Sequence, residues 1–123
     1  MLRVQTRNWG TVTVLCLQGR IVNGETTSLR QAMGSDLRGS LVVLDLARVS
    51  AVDASGLGVM LELRKQVESR GIRFKLMNAN KLVSRVLEIT RLDSVFEITS
   101  GVELLPPIAR ARSGQVMELA RCA

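Results

Sequence analysis

The stretch that decides the fold of this chain is LVVLDLARVSAVDASGLGVM, residues 41–60. An apolar run at 40–46 opens it, and such a run is typical of a strand buried on both faces of a parallel sheet. A short loop then leads to 53–56, Asp-Ala-Ser-Gly, where we expect a helix that runs from about Ser55 to Arg70. Because sites in open α/β sheets are built at the carboxyl ends of strands, this corner is the candidate site.

The segments on either side alternate between strand and helix patterns. A hairpin comes first, because a strand at 2–6 and a β-branched strand at 11–17 flank a turn at 8–10. Gly19 is predicted to end the second strand. The remaining elements are a helix from Thr26 or Thr27 to about Leu37, the strand at 40–46, the helix at 55–70, a strand at 72–77, a helix at 80–90 and a short strand at 94–98. That order predicts an α/β domain with a single open, mixed, mostly parallel sheet flanked by helices.

Apolar spacing predicts which side of each helix packs on the sheet. The expected inward residues are Leu29, Ala32, Met33 and Leu37, then Leu57, Met60, Leu61 and Val67, then Leu82, Val83, Val86, Leu87 and Ile89. Gly71 follows the second helix, where a left-handed residue often ends a helix. We expect one domain at 1–105 and a C-terminal tail at 106–123, frayed or loosely helical over 115–121.

Composition removes several classes of chemistry. The 123 residues include no histidine, which excludes Ser-His-Asp and Cys-His nucleophile pairs and His-ligated metals. The run Gly56-Leu57-Gly58 lacks the third glycine of a dinucleotide loop, and no P-loop motif occurs. A serine elbow of the hydrolase type would have no base. We therefore expect no enzyme activity, no metal and no cofactor.

Charge and cysteine content bear on partners and location. The formal net charge is +6, but the basic residues are scattered and aromatic residues make up 2% of the chain, so we expect no direct nucleic-acid binding. No apolar run approaches the about 20 residues of a membrane span, and the N-terminus shows no signal-peptide pattern, so we expect no membrane association. Two cysteines, Cys16 and Cys122, form no disulfide framework, which favours a cytoplasmic location.

The corner at 53–56 has three interpretations. In the simplest, Asp53 or Ser55 caps the helix and the nearby glycines allow close packing. In the second, Ser55 is phosphorylated, and the added dianion changes the surface that a partner protein contacts. In the third, Asp53 is a phosphoacceptor after a strand, although the further acids and the lysine of such receivers are not evident. The spacing of these residues alone does not distinguish between the three interpretations.

Residues 43–60 resemble the signature of the STAS domain, which occurs in bacterial anti-sigma factor antagonists and in the cytoplasmic parts of sulfate transporters. The family pattern is a Leu-Asp-Leu strand, a valine, and Asp-Ser-Ser-Gly-Leu-Gly at the start of a helix. The counterparts here are 44–46, Val49 and 53–58, with Ala54 in place of the first serine. The similarity extends over about residues 1–105.

The resemblance implies a protein-binding switch. In the family, the second serine of the motif is phosphorylated by a partner serine kinase that is also the anti-sigma factor, and a serine phosphatase resets it. The unphosphorylated form binds the kinase and frees the sigma factor. The matching residue here is Ser55. The implied partner contacts are Asp53, Ala54, Gly56, Leu57, Val59, Met60, Val22 and Asn23.

One departure from the family pattern is Val22, which stands where the family often has aspartate. The alternative function is a ligand-sensing or scaffold STAS module of a larger signalling assembly, in which Ser55 serves only as a cap. The sequence names no particular kinase, phosphatase or sigma factor, and it leaves the oligomeric state open.

Overall fold

A single open sheet organises the protein. The computed structural model describes residues 2–33 and 39–99, and within them five strands lie in the order β1-β2-β3-β4-β5. The pair β1–β2 is antiparallel and the other pairs are parallel. The elements are β1 Arg3–Trp9, β2 Val12–Ile21, α1 Thr27–Ala32, β3 Leu41–Val52, α2 Ala54–Glu68, β4 Arg73–Met77, α3 Lys81–Ile89, a 3₁₀ turn Leu92–Ser94 and β5 Glu97–Thr99. The predicted α/β architecture with its N-terminal hairpin is confirmed.

Strand β3 lies at the centre of the sheet, and residues 42–46 are all buried, as the apolar run predicts. Successive side chains of a strand point to opposite faces. On one face, Leu44 joins the main core, which also holds residues of all three helices, among them Leu29, Met60 and Leu87. The helices therefore pack on the same face of the sheet and position their N-termini at the carboxyl ends of the strands.

Both central strands run further than the sequence predicts. Strand β3 continues to Val52 instead of ending at 46, and β2 passes through Gly19 to Ile21. Gly19 has a φ of 119°, a conformation that a glycine adopts without strain. The register between the two strands shifts next to this residue. Glycine here marks an irregularity inside a strand rather than the end of the strand.

The first shift in the register has its own local cause. It falls just after the pairing of Cys16 with Asp45. There the N–H of Ala47 donates to the Asp45 carboxylate at 3.0 Å. Burial raises the pKa of Asp45, and the hydrogen bond from Ala47 opposes that rise. The Asp45 side chain thus accepts a hydrogen bond from a backbone N–H group at the point where the pairing of β2 with β3 is interrupted.

The prediction that Leu82 and Ile89 face the core is wrong. Their exposed fractions are 50% and 73%. Helix α3 has nine residues, and only a narrow stripe of so short a helix reaches the sheet. Val83 and Leu87, four residues apart, fill that stripe and are buried. The apolar pattern found the helix but overestimated the width of its buried side.

Two further elements, α1 and β5, have ends that differ from the predicted ones. Helix α1 ends at Ala32, whereas the pattern predicts an end near Leu37; residues 34–38 lie outside the described part of the chain. Strand β5 begins at 97 instead of 94, because 92–94 form a 3₁₀ turn. Gly71 is left-handed with a φ of 78°, as predicted. The predicted tail at 106–123 lies outside the described residues.

Cys16 is 5% exposed in β2, and Cys122 lies outside the described residues. Among the helices in residues 2–33 and 39–99, none combines the length and the apolar character that crossing a membrane requires.

A pair of alanine substitutions tests the buried stripe of α3. Leu87 is fully buried, so Leu87→Ala is expected to lower the free energy of unfolding by about 2–5 kcal/mol through lost burial and a residual cavity. The matched control Ile89→Ala removes an exposed side chain and should change it by less than about 0.5 kcal/mol. Urea denaturation followed by circular dichroism measures both. Equal losses would contradict the assignment of the faces.

Candidate functional site

The candidate site is the N-terminal end of α2, residues 53–56, which we call the helix tip. Asp53 is the N-cap residue, with an extended backbone at φ −110° and ψ −177°. Its Oδ1 accepts the N–H of Gly56 at 2.8 Å, and its Oδ2 accepts the N–H of Asn23 at 3.0 Å. One carboxylate thus caps the helix and holds the loop after β2 against it.

The same hydrogen bonds set the ionisation of Asp53. The N–H of Asn23, followed by that of Gly56, holds the pKa of the Asp53 carboxyl below its ordinary value, and slight desolvation acts in the opposite direction. Hydrogen bonds to the charged form favour that form. The helix tip therefore carries a negative charge at neutral pH, at the end of the helix whose partial charge is positive.

Gly56 allows α2 to approach β2 closely. A Cβ at this position would collide with the carbonyl oxygen of Ile21 and lie 2.7 Å from its carbonyl carbon. The same carbonyl oxygen accepts the N–H of Asp53 at 3.3 Å. The end of β2 and the first turn of α2 are therefore in backbone contact, and only glycine fits between them.

The loop at 22–25 lies beside the helix tip, where Asn23 contacts Asp53. It is a tight turn in which the N–H of Glu25 donates to the carbonyl of Val22 at 3.0 Å, with Gly24 at a φ of 85°. Glu25 also pairs with Arg20 at 3.0 Å. Val22 is half-buried and Asn23 is exposed. The loop presents its backbone and Asn23 next to Asp53.

Ser55 is the second residue of α2 and is exposed. Within the described part of the chain its hydroxyl has no hydrogen-bond partner. Ala54 and Gly58 are exposed beside it, and a Cβ at Gly58 would have nothing within 4 Å. The hydroxyl therefore stands on an open surface of small residues that a second protein can reach.

Four of the implied partner contacts lie on the side of α2 that faces the sheet. Gly56 is buried, and Leu57, Val59 and Met60 are 7%, 6% and 0% exposed. The prediction from apolar spacing that Leu57 and Met60 face the core is confirmed. Contact of a partner with these four residues stays a prediction.

The outward side of α2 contains residues that the sequence reasoning did not assign. Gly58 follows Ala54 by four residues, and Glu62 follows Gly58 by four, so the three share one side of the helix. Glu62 is exposed and pairs with Arg30 of α1 at 2.9 Å. Helical periodicity counted from Ser55 could have identified this side. Within residues 2–33 and 39–99, no cluster of acids, cysteines or histidines suited to a metal ion occurs.

A parallel-sheet module with an N-terminal hairpin and a small-residue helix tip is the architecture of a STAS domain. Residues 3–105 match the family model described as the STAS domain, and the chain therefore belongs to the STAS domain family.

Among curated proteins, a candidate anti-sigma factor antagonist from Thermotoga neapolitana is 40% identical over 57 residues, 46% of this chain and 50% of the relative. The chain thus matches about half the length of such relatives. Among solved structures, an anti-sigma factor antagonist from Mycobacterium paratuberculosis has a TM-score of 0.69 at 20% identity, covering 80% of this chain and 85% of that one. SpoIIAA in its unphosphorylated form has a TM-score of 0.69 at 20% identity, covering 90% and 97%. At these identities the structures establish the fold.

Because Gly56 contacts Ile21 and Gly58 has open space beside it, substitution by alanine should have opposite effects on stability at these two glycines of α2. Gly56→Ala is expected to lower the free energy of unfolding by about 1–3 kcal/mol, because the methyl group meets backbone that cannot move aside. Gly58→Ala should raise it by about 0.5–1 kcal/mol, because the site is open and alanine favours the helix. Urea denaturation of both variants measures the effect. A destabilised Gly58→Ala with an unaffected Gly56→Ala would contradict the geometry.

The lowered pKa of Asp53 predicts a pH dependence. Its contribution to stability is present above the unfolded-state pKa of about 4 and is lost as the pH falls through the lower folded-state pKa. In Asp53→Asn the cap remains but the charge does not, so this variant should lose less stability than the wild type below about pH 4. Urea midpoints at stepwise lower pH compare the two proteins.

Glu88→Gln is the control for this pH series, because Glu88 is an exposed acid on α3. It should follow the wild-type curve. If Asp53→Asn also follows that curve, the hydrogen bonds from Asn23 and Gly56 do not stabilise the charged carboxylate.

Proposed function

We propose that this STAS domain is an anti-sigma factor antagonist controlled by phosphorylation of Ser55. Unphosphorylated, it binds a serine kinase that is also the anti-sigma factor and so frees a sigma factor. The kinase phosphorylates Ser55 and releases the complex, and a serine phosphatase restores the binding form. The observation that carries the proposal is the exposed hydroxyl on the open, small-residue surface of the helix tip.

Electrostatics at the helix tip explains how a phosphate could act as a switch. A phosphoserine adds about −1.5 to −2 charges. The ionised Asp53 carboxylate already occupies the N–H of Gly56. A phosphate on Ser55 therefore adds to an existing negative charge instead of replacing the cap, and it remains on the outer surface. A partner that docks there must desolvate a strongly anionic patch.

The size of this effect sets the expected change in affinity. A desolvation and repulsion penalty of about 3 kcal/mol weakens binding on the order of a hundredfold. Hydrogen bonds from Asn23 and Gly56 to Asp53 keep the first turn of α2 in place. The switch therefore requires no refolding of α2, and charge alone distinguishes the two states.

The relatives support the same function. The matched curated proteins carry names of anti-sigma factor antagonists. SpoIIAA, described as an anti-sigma factor antagonist, has been solved in an unphosphorylated and in a phosphorylated form. Regulation of a sigma factor by this route takes place where transcription does, so we place the protein in the cytoplasm.

Substitution of Ser55 tests the proposal directly. The measurement is the affinity for the anti-sigma factor kinase by titration calorimetry, without ATP. Ser55→Ala is expected to bind as the wild type does, because a hydroxyl is lost from an open surface. Ser55→Asp is expected to bind about a hundredfold more weakly, because a charge must be desolvated. With ATP, the wild type should gain one phosphate at Ser55 and Ser55→Ala none.

Ser69→Asp is the matched control, because Ser69 is an exposed serine at the other end of α2. At 1.5 Å per residue, the two serines are about 21 Å apart along the helix. This control should retain full affinity. Equal binding by Ser55→Asp and Ser55→Ala would contradict the switch, and the alternative of a ligand-sensing or scaffold module would then apply.

A further inference from the structure

The sheet face opposite the helices, which we call the strand face, carries exposed arginines at one end. Two of them, Arg20 and Arg48, lie in the C-terminal halves of β2 and β3. Because β1 is antiparallel to β2, its first residue, Arg3, lies beside the same end. Gln18 of β2 is also exposed there. We call these four residues the arginine surface.

Strand pairing places three members of the arginine surface in one row. Arg3 is paired with Gln18, and Gln18 is paired with Arg48. The chain neighbours Leu17 and Val49 belong to the main core, so Gln18 and Arg48 point away from the helices. Two strand spacings of about 4.8 Å separate Arg3 from Arg48 by about 10 Å.

Arg20 belongs to the same side of the sheet. It follows Gln18 by two residues, and its neighbour Ile21 is in the main core. Successive side chains of a strand point to opposite faces, so Arg20 points to the strand face as well. Three guanidinium groups therefore surround Gln18.

Acids offset little of this positive charge. Within residues 2–33 and 39–99, neither Arg3 nor Arg48 forms a salt bridge. Arg20 pairs with Glu25 at 3.0 Å. Asp45, three residues before Arg48, is 2% exposed and presents no carboxylate to a partner. The arginine surface is therefore positively charged where it meets the solvent.

We propose that the arginine surface binds an acidic segment of the anti-sigma factor kinase, an inference that rests on the proposed function. A guanidinium group pairs with a carboxylate through two parallel hydrogen bonds. The row of about 10 Å suits two or three acidic side chains of one segment. Small molecules bind in concave sites, whereas a strand face is open, so a protein fits this surface better.

Nucleic acid is a poorer match for the arginine surface. A duplex is held by many phosphate contacts along its length. This surface offers three guanidinium groups, and none of its four residues is aromatic, so it provides no stacking platform for bases. A short acidic segment of a protein needs neither feature.

A chain of contacts connects the arginine surface to the helix tip. Arg20 pairs with Glu25 of the loop at 22–25, and Asn23 of that loop donates to Asp53. A partner docked at the helix tip can therefore reach the arginine surface across this loop. A phosphate on Ser55 would add negative charge beside the path of the acidic segment and repel it.

The test measures the association rate of the full chain with the kinase by stopped flow, without ATP and over a series of salt concentrations. Arg3→Gln/Arg48→Gln is expected to associate about tenfold more slowly at low salt and to show a weaker salt dependence, because electrostatic steering is lost. Arg3→Lys/Arg48→Lys keeps both charges and should associate as the wild type does.

Lys65→Gln/Arg85→Gln is the matched control. Both residues are exposed and lie on α2 and α3, on the opposite side of the sheet. This variant loses the same two positive charges, so it separates the arginine surface from the net charge. It should associate with the kinase at the wild-type rate.

Circular dichroism establishes that each variant is folded. If the double glutamine variant does not fold, Arg3→Gln and Arg48→Gln are measured singly. Equal association rates for the arginine-surface and control variants would overturn the proposal. So would binding of a labelled DNA duplex by the wild type that is lost in Arg3→Gln/Arg48→Gln, because the surface would then recognise phosphates of nucleic acid.

The proposed function can stand when this inference fails. If Ser55→Asp loses affinity for the kinase while Arg3→Gln/Arg48→Gln associates as the control does, the switch at Ser55 holds and the arginine surface has no part in docking. A wild type that does not bind the kinase would overturn the proposed function and this inference together.

Discussion

The geometry of the helix tip depends on the Asp53 carboxylate. Its two oxygens accept backbone N–H groups from Gly56 of α2 and from Asn23 after β2, which are far apart in sequence. Because Gly56 also lies against the carbonyl of Ile21, the first turn of α2 and the end of β2 are held together by backbone contacts. Ser55 projects from this fixed frame, so its position does not depend on its own hydrogen bonds.

The neighbouring helix is held by a similar device. Asn80 caps α3 by accepting the N–H of Val83 at 2.9 Å, and its amide donates to the carbonyl of Val49 at 2.7 Å. Two short polar side chains thus hold two helix N-termini in place, that of α2 against the loop after β2 and that of α3 against β3. The extension of β3 beyond residue 46 makes the Asn80 contact possible, since Val49 supplies the accepting carbonyl.

The two faces of the sheet have different roles. One face packs against the helices and carries the helix tip at its edge. A charge on Ser55 would change the electrostatic potential of this surface, where a partner protein would bind. The other face buries Val14 and Val43, and no helix of the described residues packs on it.

The sequence by itself determined the order of strands and helices, the buried run at 42–46, the left-handed Gly71 and the motif around Ser55. These follow from local periodicity, from the backbone freedom of glycine and from a short signature, all of which are read within a few residues. It did not determine the outward side of α3 or the full length of β2 and β3. Those features were decided by the tertiary structure, because burial and pairing depend on which distant segment packs against each residue. The bridge from Asp53 to Asn23 is the clearest case, since thirty positions separate its two ends.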